Sequence, residues 1–284
     1  MTPSQAKGGY DSAVLEETAK RFRRDMWHSV PTDAMVESGV QAQRFGPVQA
    51  TVFEDLSEVQ SLNMVCGAAE PGAVEEGHLA EALEWVRYRE VDCQVTVAES
   101  RPGAEKAEAW LESRGYERGP AWVTYVWEAS PPHVPSLPEV EVVELGPSCG
   151  DGISDLASEG LGLPCLAGTL FYDLPHLEDW HCYVALLEDE AVACGSMMIH
   201  EGVAELGLDA TMESARGNGC HQALLMWRLL DAVVAGCHTV FAEVGEGDES
   251  QPAHRNLLWA GFEPAYTSQS WRRPRGLAAG RDIG

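Results

Sequence analysis

Apolar positions recur at helical spacing near the start of the chain. Leu15, Ala19, Phe22 and Met26 fall at i, i+4, i+7 and i+11 and predict a helix over 11–28. Short apolar and alternating runs predict strands at 48–53, 59–65 and 91–97, helices at 78–88 and 104–114, and an aromatic-rich strand at 121–127. Beyond residue 139 the pattern gives a strand at 140–145 and helical segments from about 152 to 180. A hairpin follows, made of "HCYVALLED" and "AVACGSMMIH" and turning at 188–190. A strand at 203–212, a glycine-rich turn, a helix at 219–235, a strand at 239–244, a short helix at 252–259 and a strand at 262–271 complete the reading. In the helix at 219–235, Ala223, Trp227, Leu230 and Val234 form the expected buried stripe. Strands interleaved with helices argue an α/β class, mixed with α+β.

The clearest seam is "ASPPHVPSLPE" at 129–139, whose four prolines forbid both helix and central strand. It divides the chain into domains at 1–130 and 140–284, with 131–139 as a proline-rich linker. The two parts echo each other at their ends. "LESRGYERGPAWVTYVW" at 111–127 lies beside "LLWAGFEPAYTSQSW" at 257–271, each running from a helix through Gly-aromatic-Glu into an aromatic strand. With the strand-helix order before each, this predicts a duplicated domain.

The formal net charge is −26, which keeps a chain soluble and repels polyanions, so a broad nucleic-acid groove or an anionic membrane surface is disfavoured. Lys7, Lys20 and Lys106 are the only lysines, so nearly all positive charge is arginine. The eight cysteines form no CxxC pair and are scattered through apolar segments, which suits free thiols in a reducing cytosol. No apolar run reaches the ~18 residues of a membrane span, and no secretory signal is evident. The expected location is cytoplasmic.

The stretch "SARGNGCHQALLMWRLL" at 214–230 sets arginine, two glycines and an asparagine before a long apolar helix. A helix N-terminus carries unpaired N–H groups and a dipole that favours an anion. Gly217 and Gly219 let the backbone approach a phosphate, Arg216 adds a charged donor, and Asn218 tolerates the unusual φ of such turns. The same residues also make a plain strand-to-helix turn, and spacing alone leaves both readings open.

The longer stretch "LGLDATMESARGNGCHQALL" at 206–225 resembles the pyrophosphate-binding motif of the GNAT superfamily of acyl-CoA-dependent N-acyltransferases. There a strand runs into Arg-Gly-x-Gly-x-Gly/Ala and then a helix. Arg216, Gly217 and Gly219 match, while His221 replaces the final small residue. "HRNLLWAGFEPAYTSQSWRR" resembles that family's last helix, Gly-Phe junction and terminal strand. The resemblance covers 140–273, with 51–127 as a degenerate copy. It implies two tandem GNAT-like domains, each a mixed, mostly antiparallel sheet flanked by helices, with one acyl-CoA site in the second. In the first, Glu75 and Glu76 stand where phosphate donors belong and would repel a pyrophosphate.

By this resemblance, Ala210, Thr211 and Met212 pair with a pantetheine arm through their backbone. Gly217, Asn218, Gly219, Cys220 and His221, with Arg216, meet the pyrophosphate, and Asn256 contacts the pantetheine. The implied reaction is direct attack of an amine on a thioester, which needs a proton acceptor and a way to return a proton to the thiolate. The family's usual tyrosine acid falls at Leu257, so Tyr266 on the closing strand is the nearest substitute in sequence, unless it only packs that strand. Strand alternation puts Ala204, Leu206, Leu208 and Ala210 on one face of 203–212, and Glu205, Gly207, Asp209 and Thr211 on the other. Glu205, Asp209 and Glu243 are the candidate bases. Each is otherwise a structural carboxylate bonded to backbone or arginine. A covalent route through Cys220 is disfavoured. His176 and His181 are not spaced for chelation, and no metal is expected.

The resulting expectation is an N-acyltransferase moving an acyl group, in the first place acetyl, from acyl-CoA to the amine of a small molecule. Two alternatives keep the fold. One takes its acyl group from a carrier protein or an aminoacyl-tRNA, with "KRFRRD" and "WRRPRG" as the only arginine-dense pieces. The other is a non-catalytic acyl-CoA sensor.

Overall fold

The computed structural model describes residues 9–128, 140–247 and 251–274, so the expected linker at 131–139 lies outside the described residues. In chain order the elements are α1 (Ser12–His28), α2 (Thr32–Ser38), β1 (Val40–Phe45), β2 (Val48–Phe53), β3 (Met64–Cys66), α3 (His78–Tyr88), β4 (Gln94–Ala98), α4 (Ala104–Ser113) and β5 (Glu117–Glu128). They continue with β6 (Glu141–Glu144), α5 (Gly150–Gly160), β7 (Trp180–Leu187), β8 (Glu190–His200), β9 (Val203–Thr211), α6 (Cys220–Val234), β10 (Thr239–Gly245), α7 (Pro252–Trp259) and β11 (Glu263–Arg272). The mixed, mostly antiparallel sheets flanked by helices match the fold class expected from sequence.

The chain forms two compact units, and neither is one half of the sequence. The first unit joins the segment up to Met35 with Val123–Ala265, and the second joins Val36–Trp122 with the chain from Tyr266 on. In the first unit the strand order is β5-β10-β9-β8-β7-β6. Here β6 to β9 pair antiparallel and β9 pairs β10 in parallel. In the second unit the order is β1-β2-β3-β4-β11, with β3 and β4 parallel. Each unit thus has a parallel pair linked through a helix, α6 or α3, and each closes on a strand from the other half of the sequence. β5 lies beside β10, and β11 beside β4, with Ser268 opposite Ala98. A boundary at 131–139 therefore does not coincide with the units. The closing strands are exchanged, and α1 joins the first unit.

Local chemistry explains several departures from the sequence reading. The expected strand at 59–65 is mostly a turn, because the buried Asn63 carboxamide donates to the Leu56 and Val59 carbonyls, each at 2.9 Å, and accepts from the Phe53 amide at 2.7 Å. Only Met64–Cys66 remains extended. The helical region expected up to 180 ends at Gly160 apart from short 3-10 turns at Cys165–Leu170 and Leu174–His176, which follow or contain Pro164 and Pro175. The stripe expected on α6 is also displaced. Trp227 and Val234 are exposed, whereas Cys220, Ala223, Leu224, Leu225, Met226, Leu229 and Ala232 fill the core of the first unit. A buried arginine, Arg228, sits among them.

Candidate active site

In the first unit, β9 and β10 pair at Val203–Thr239, Ala204–Val240, Glu205–Phe241 and Leu206–Ala242 and then part. From Gly207 onward no strand among the described residues pairs the β10-side edge of β9, so its backbone groups there are open to a partner. At the far end of this opening, Glu213–Ala215 form a 3-10 turn and the chain enters α6 through Gly217 at φ +87° and Gly219 at φ +82°. That left-handed backbone is what glycine supplies at no steric cost. No side chain among the described residues caps α6, so its first-turn N–H groups keep their capacity for an anion. Arg216, Gly217 and Asn218 are exposed beside it. Cys220 is not exposed: it faces the core, and burial pushes its thiol up, which removes any case for a nucleophile there.

A β-bulge divides β9. Ser196 of β8 lies opposite Gly207 and Cys194 opposite Ala210, so two steps on β8 face three on β9. The additional residue is accommodated at Leu208, whose φ is +54°. The bulge breaks the simple alternation expected from sequence, and Glu205 and Asp209 do not share a face. Ala204 and Leu206 pack with α6 in the core, which leaves Glu205 on the opposite face. Asp209 has been turned to the α6 face.

On that face Asp209 takes both Nη atoms of the fully buried Arg228, one of them at 3.2 Å. Arg228 also donates to the Leu224 carbonyl at 3.1 Å and the Ser196 carbonyl at 2.9 Å. A Cβ at Gly195 would lie 2.9 Å from the guanidinium carbon, so only glycine leaves room for this pair. His221 continues the chain: Nε2 lies 3.3 Å from Asp209, and Nδ1 lies 2.6 Å from the Asn256 amide nitrogen. Nδ1 accepts from Asn256, and Nε2–H donates to Asp209. Burial raises the Asp209 carboxyl, but Arg228 and His221 outweigh it and hold the group down at about 2. His221 and Asn256 are thus partners in one polar network joining β9, α6 and α7.

On the opposite face Glu205 is buried, and its Oε2 has no hydrogen-bond partner among the described residues. Burial, and then the nearby Glu243 charge, raise its carboxyl well above the usual range, against a lowering by Arg23. Glu243 follows Phe241 by one strand period and therefore shares the face of Glu205. It is ion-paired with Arg23 of α1. The face is covered by α1, whose Phe22 occupies the space that a Cβ at Gly207 would need. Phe22 stacks on Trp180 with ring centroids 4.5 Å apart. Trp180 opposes Met198 and Met198 opposes Glu205, so the three form one row across β7, β8 and β9. Beside Trp180 is a cavity of about 270 Å³ that Asp25, Glu178, Asp179, Arg21 and His28 help to line.

Sequence reasoning did not anticipate α1 in this site, nor Arg228 or the buried pair of Tyr125 on β5 and His254 on α7. The Tyr125 hydroxyl lies 2.9 Å from His254 Nδ1, and His254 Nε2 lies 3.0 Å from the Gly245 carbonyl. Leu257 is part of the core with Tyr125. Tyr266 is buried and belongs to the second unit, whereas Glu205, Asp209 and Glu243 belong to the first. Ala210 and Thr211 oppose Cys194 and Ala193 of β8 across the strand edge away from β10, and the Met212 amide bonds the Val192 carbonyl at 2.9 Å.

The corresponding loop of the second unit is closed. Gly77 at φ +83° leads into α3 much as Gly219 leads into α6. Ahead of it, however, Ala68, Ala69 and Ala73 are buried in that unit's core, and Gly103 at the start of α4 bonds the Ala69 carbonyl at 3.0 Å. Glu75 bonds Lys106 at 2.5 Å, and Glu76 lies 3.2 Å from His78 Nε2.

No protein-family profile matches this sequence, and no curated protein matches it. Solved structures do. A GCN5-related N-acetyltransferase from Kribbella flavida aligns at 20% identity and a TM-score of 0.60, covering 91% of this chain and 96% of that one. A second, from Sphaerobacter thermophilus, aligns at 17% identity and a TM-score of 0.59, over 80% of this chain and 78% of that one. A tandem GNAT protein from the clavulanic acid biosynthesis pathway aligns at 17% identity and a TM-score of 0.57, over 79% and 77%. The chain therefore has the GCN5-related N-acetyltransferase fold in tandem arrangement.

Proposed function

We propose that this protein is an N-acyltransferase whose first unit moves an acyl group, in the first place acetyl, from acyl-CoA to the amine of a small molecule. The observation that carries this reading is the parting of β9 from β10, which opens between a glycine-led helix N-terminus and the buried carboxylate of Glu205. The diphosphate of CoA meets the first-turn N–H groups of α6, with Arg216 as a charged donor beside them. The pantetheine amides take the place of the missing strand along Gly207–Thr211, since the Met212 N–H and carbonyl are already bonded to the Val192 carbonyl and the Ala215 amide. The thioester supplies an activated acyl carbon.

Glu205 is the proton acceptor in this reading. A carboxylate raised by burial is a stronger proton acceptor than an ordinary one, which is what taking a proton from an ammonium, to leave the amine that attacks, requires. Glu205 takes one proton from the bound ammonium and the neutral amine attacks; the C–N bond forms, the C–S bond breaks, and the second N–H proton passes through water to the departing thiolate. Asp209 is assigned a structural role, because a carboxylate held at about 2 is too weak a base at neutral pH. Glu243 supports Glu205 instead of replacing it. The amine enters from the α1 face, where the carboxylates Asp25, Glu178 and Asp179 beside Trp180 outnumber the Arg21 that pairs with two of them, and the remaining negative charge favours a cationic acceptor. A tRNA donor is disfavoured because Arg21 and Arg23 of "KRFRRD" are engaged by Asp179, His200 and Glu243. The reading is tested by mass spectrometry of products formed from acetyl-CoA and a panel of small amines. Acetylated amine formed by the wild type and lost in Glu205→Gln supports it, whereas CoA binding with no transfer to any amine identifies a sensor.

A further inference from the structure

The N-terminal helix contributes more than cover. Arg23 forms its ion pair with Glu243 in a largely dry environment, with the two side chains 16% and 11% exposed. Its other Nη donates to the Ala19 carbonyl of its own helix at 3.3 Å, so α1 fixes where the guanidinium sits. Glu243 shares a sheet face with Glu205, one strand period beyond its cross-strand partner Phe241. From α1, Glu16 and Arg23 act electrostatically on Glu205; from β10, Glu243 does so; on β8 its opposite neighbour is the uncharged Met198. In a poorly solvated site the charge of a carboxylate on the same face raises Glu205, and a cation beside them offsets that rise.

We propose that Arg23 is a positioning residue for acyl transfer: held by α1 and paired with Glu243 on the sheet face of Glu205, it sets the charge around Glu205, the group that takes up the proton. This rests on the reading of Glu205 as the proton acceptor. It makes α1, the part of the chain farthest in sequence from the glycine turn, a component of the catalytic unit. Without Arg23, Glu205 would hold its proton to higher pH. Without the Glu243 charge, Glu205 would release its proton at lower pH.

The test is an infrared titration of the full-length, substrate-free protein, following the carbonyl band of a buried protonated carboxyl. Glu205→Gln identifies the band by abolishing it. Arg23→Gln is expected to raise the titration midpoint by about 1–3 pH units, with the acid limb of kcat/KM moving by the same amount. Arg23→Lys, which keeps the charge, restores most of the shift, and Glu243→Gln lowers the midpoint. A merely structural arginine would lower the melting temperature and leave the midpoint in place. A midpoint unchanged to within about 0.3 units in Arg23→Gln overturns the proposal. If that variant does not fold, an unchanged midpoint in Glu243→Gln overturns it equally. Should no band be lost in Glu205→Gln, or should that variant keep full turnover, the reading of Glu205 fails first and the role of Arg23 falls with it.

Discussion

Glu205 and Asp209 stand four residues apart on β9 yet serve opposite faces of the sheet, because the bulge at Leu208 inverts the alternation between them. One carboxylate is buried with no partner for Oε2 among the described residues, and the other is clasped by Arg228. This separation assigns their roles and makes them experimentally distinguishable.

Changing each to its amide is expected to give opposite signatures. Glu205→Gln should cut turnover by roughly 10²–10⁴-fold with acyl-CoA affinity nearly unchanged. Asp209→Asn should lower stability by about 3–5 kcal/mol, because it leaves a fully buried guanidinium without its counter-charge. Chemical denaturation and steady-state kinetics on the same two variants check both statements. A stable, inactive Asp209→Asn protein would reverse the assignment.

The pH dependence of stability follows from the same two groups. The folded protein keeps a proton on Glu205 that the unfolded chain releases in the ordinary glutamate range, so stability falls as pH rises from there through the raised value. Asp209 runs the other way: its contribution is present above about 3.9 and is lost as pH falls toward about 2. Melting curves across pH should therefore show a decline above the ordinary glutamate range that Glu205→Gln flattens and an acid-side loss that Asp209→Asn removes.

A fragment of residues 140–284 should not fold as a unit. It lacks α1, and it lacks the Tyr125 and Trp127 of β5 that pack with Leu257 and Phe262. It also exposes the edge of β10 that β5 covers, which invites edge-to-edge aggregation. Size-exclusion chromatography and circular dichroism would reveal aggregated or non-cooperative material. A monomeric fragment with a cooperative transition would show that the exchanged strand is dispensable.

Much of this arrangement was legible in the sequence. Helical spacing located α1, the parting strands and α6 fell near their expected bounds, and Arg216, Gly217 and Gly219 marked the turn. The bulge was not legible, since leucine at positive φ carries no local signature, and with it the face of Asp209 was misassigned. Strand exchange was equally hidden: 117–128 and 263–272 have the same local pattern, and which parallel pair each closes is decided by long-range pairing. The buried Arg228 escaped notice because its partner, Asp209, lies 19 residues away on another element. Trp227, large and apolar, suggested a buried face that it does not occupy.

The central claim, one acyl-CoA site at the glycine turn of the first unit, is tested most directly by calorimetric titration of acetyl-CoA into wild type, Gly219→Glu and Gly77→Glu. Both glycines sit at positive φ at the start of a helix, so the two substitutions impose a matched backbone strain of about 1–3 kcal/mol. Only the first places a carboxylate where the diphosphate is assigned. The account predicts one site per chain in wild type and in Gly77→Glu, and no measurable binding in a folded Gly219→Glu. Unchanged affinity in Gly219→Glu, or loss of binding only in Gly77→Glu, would contradict it.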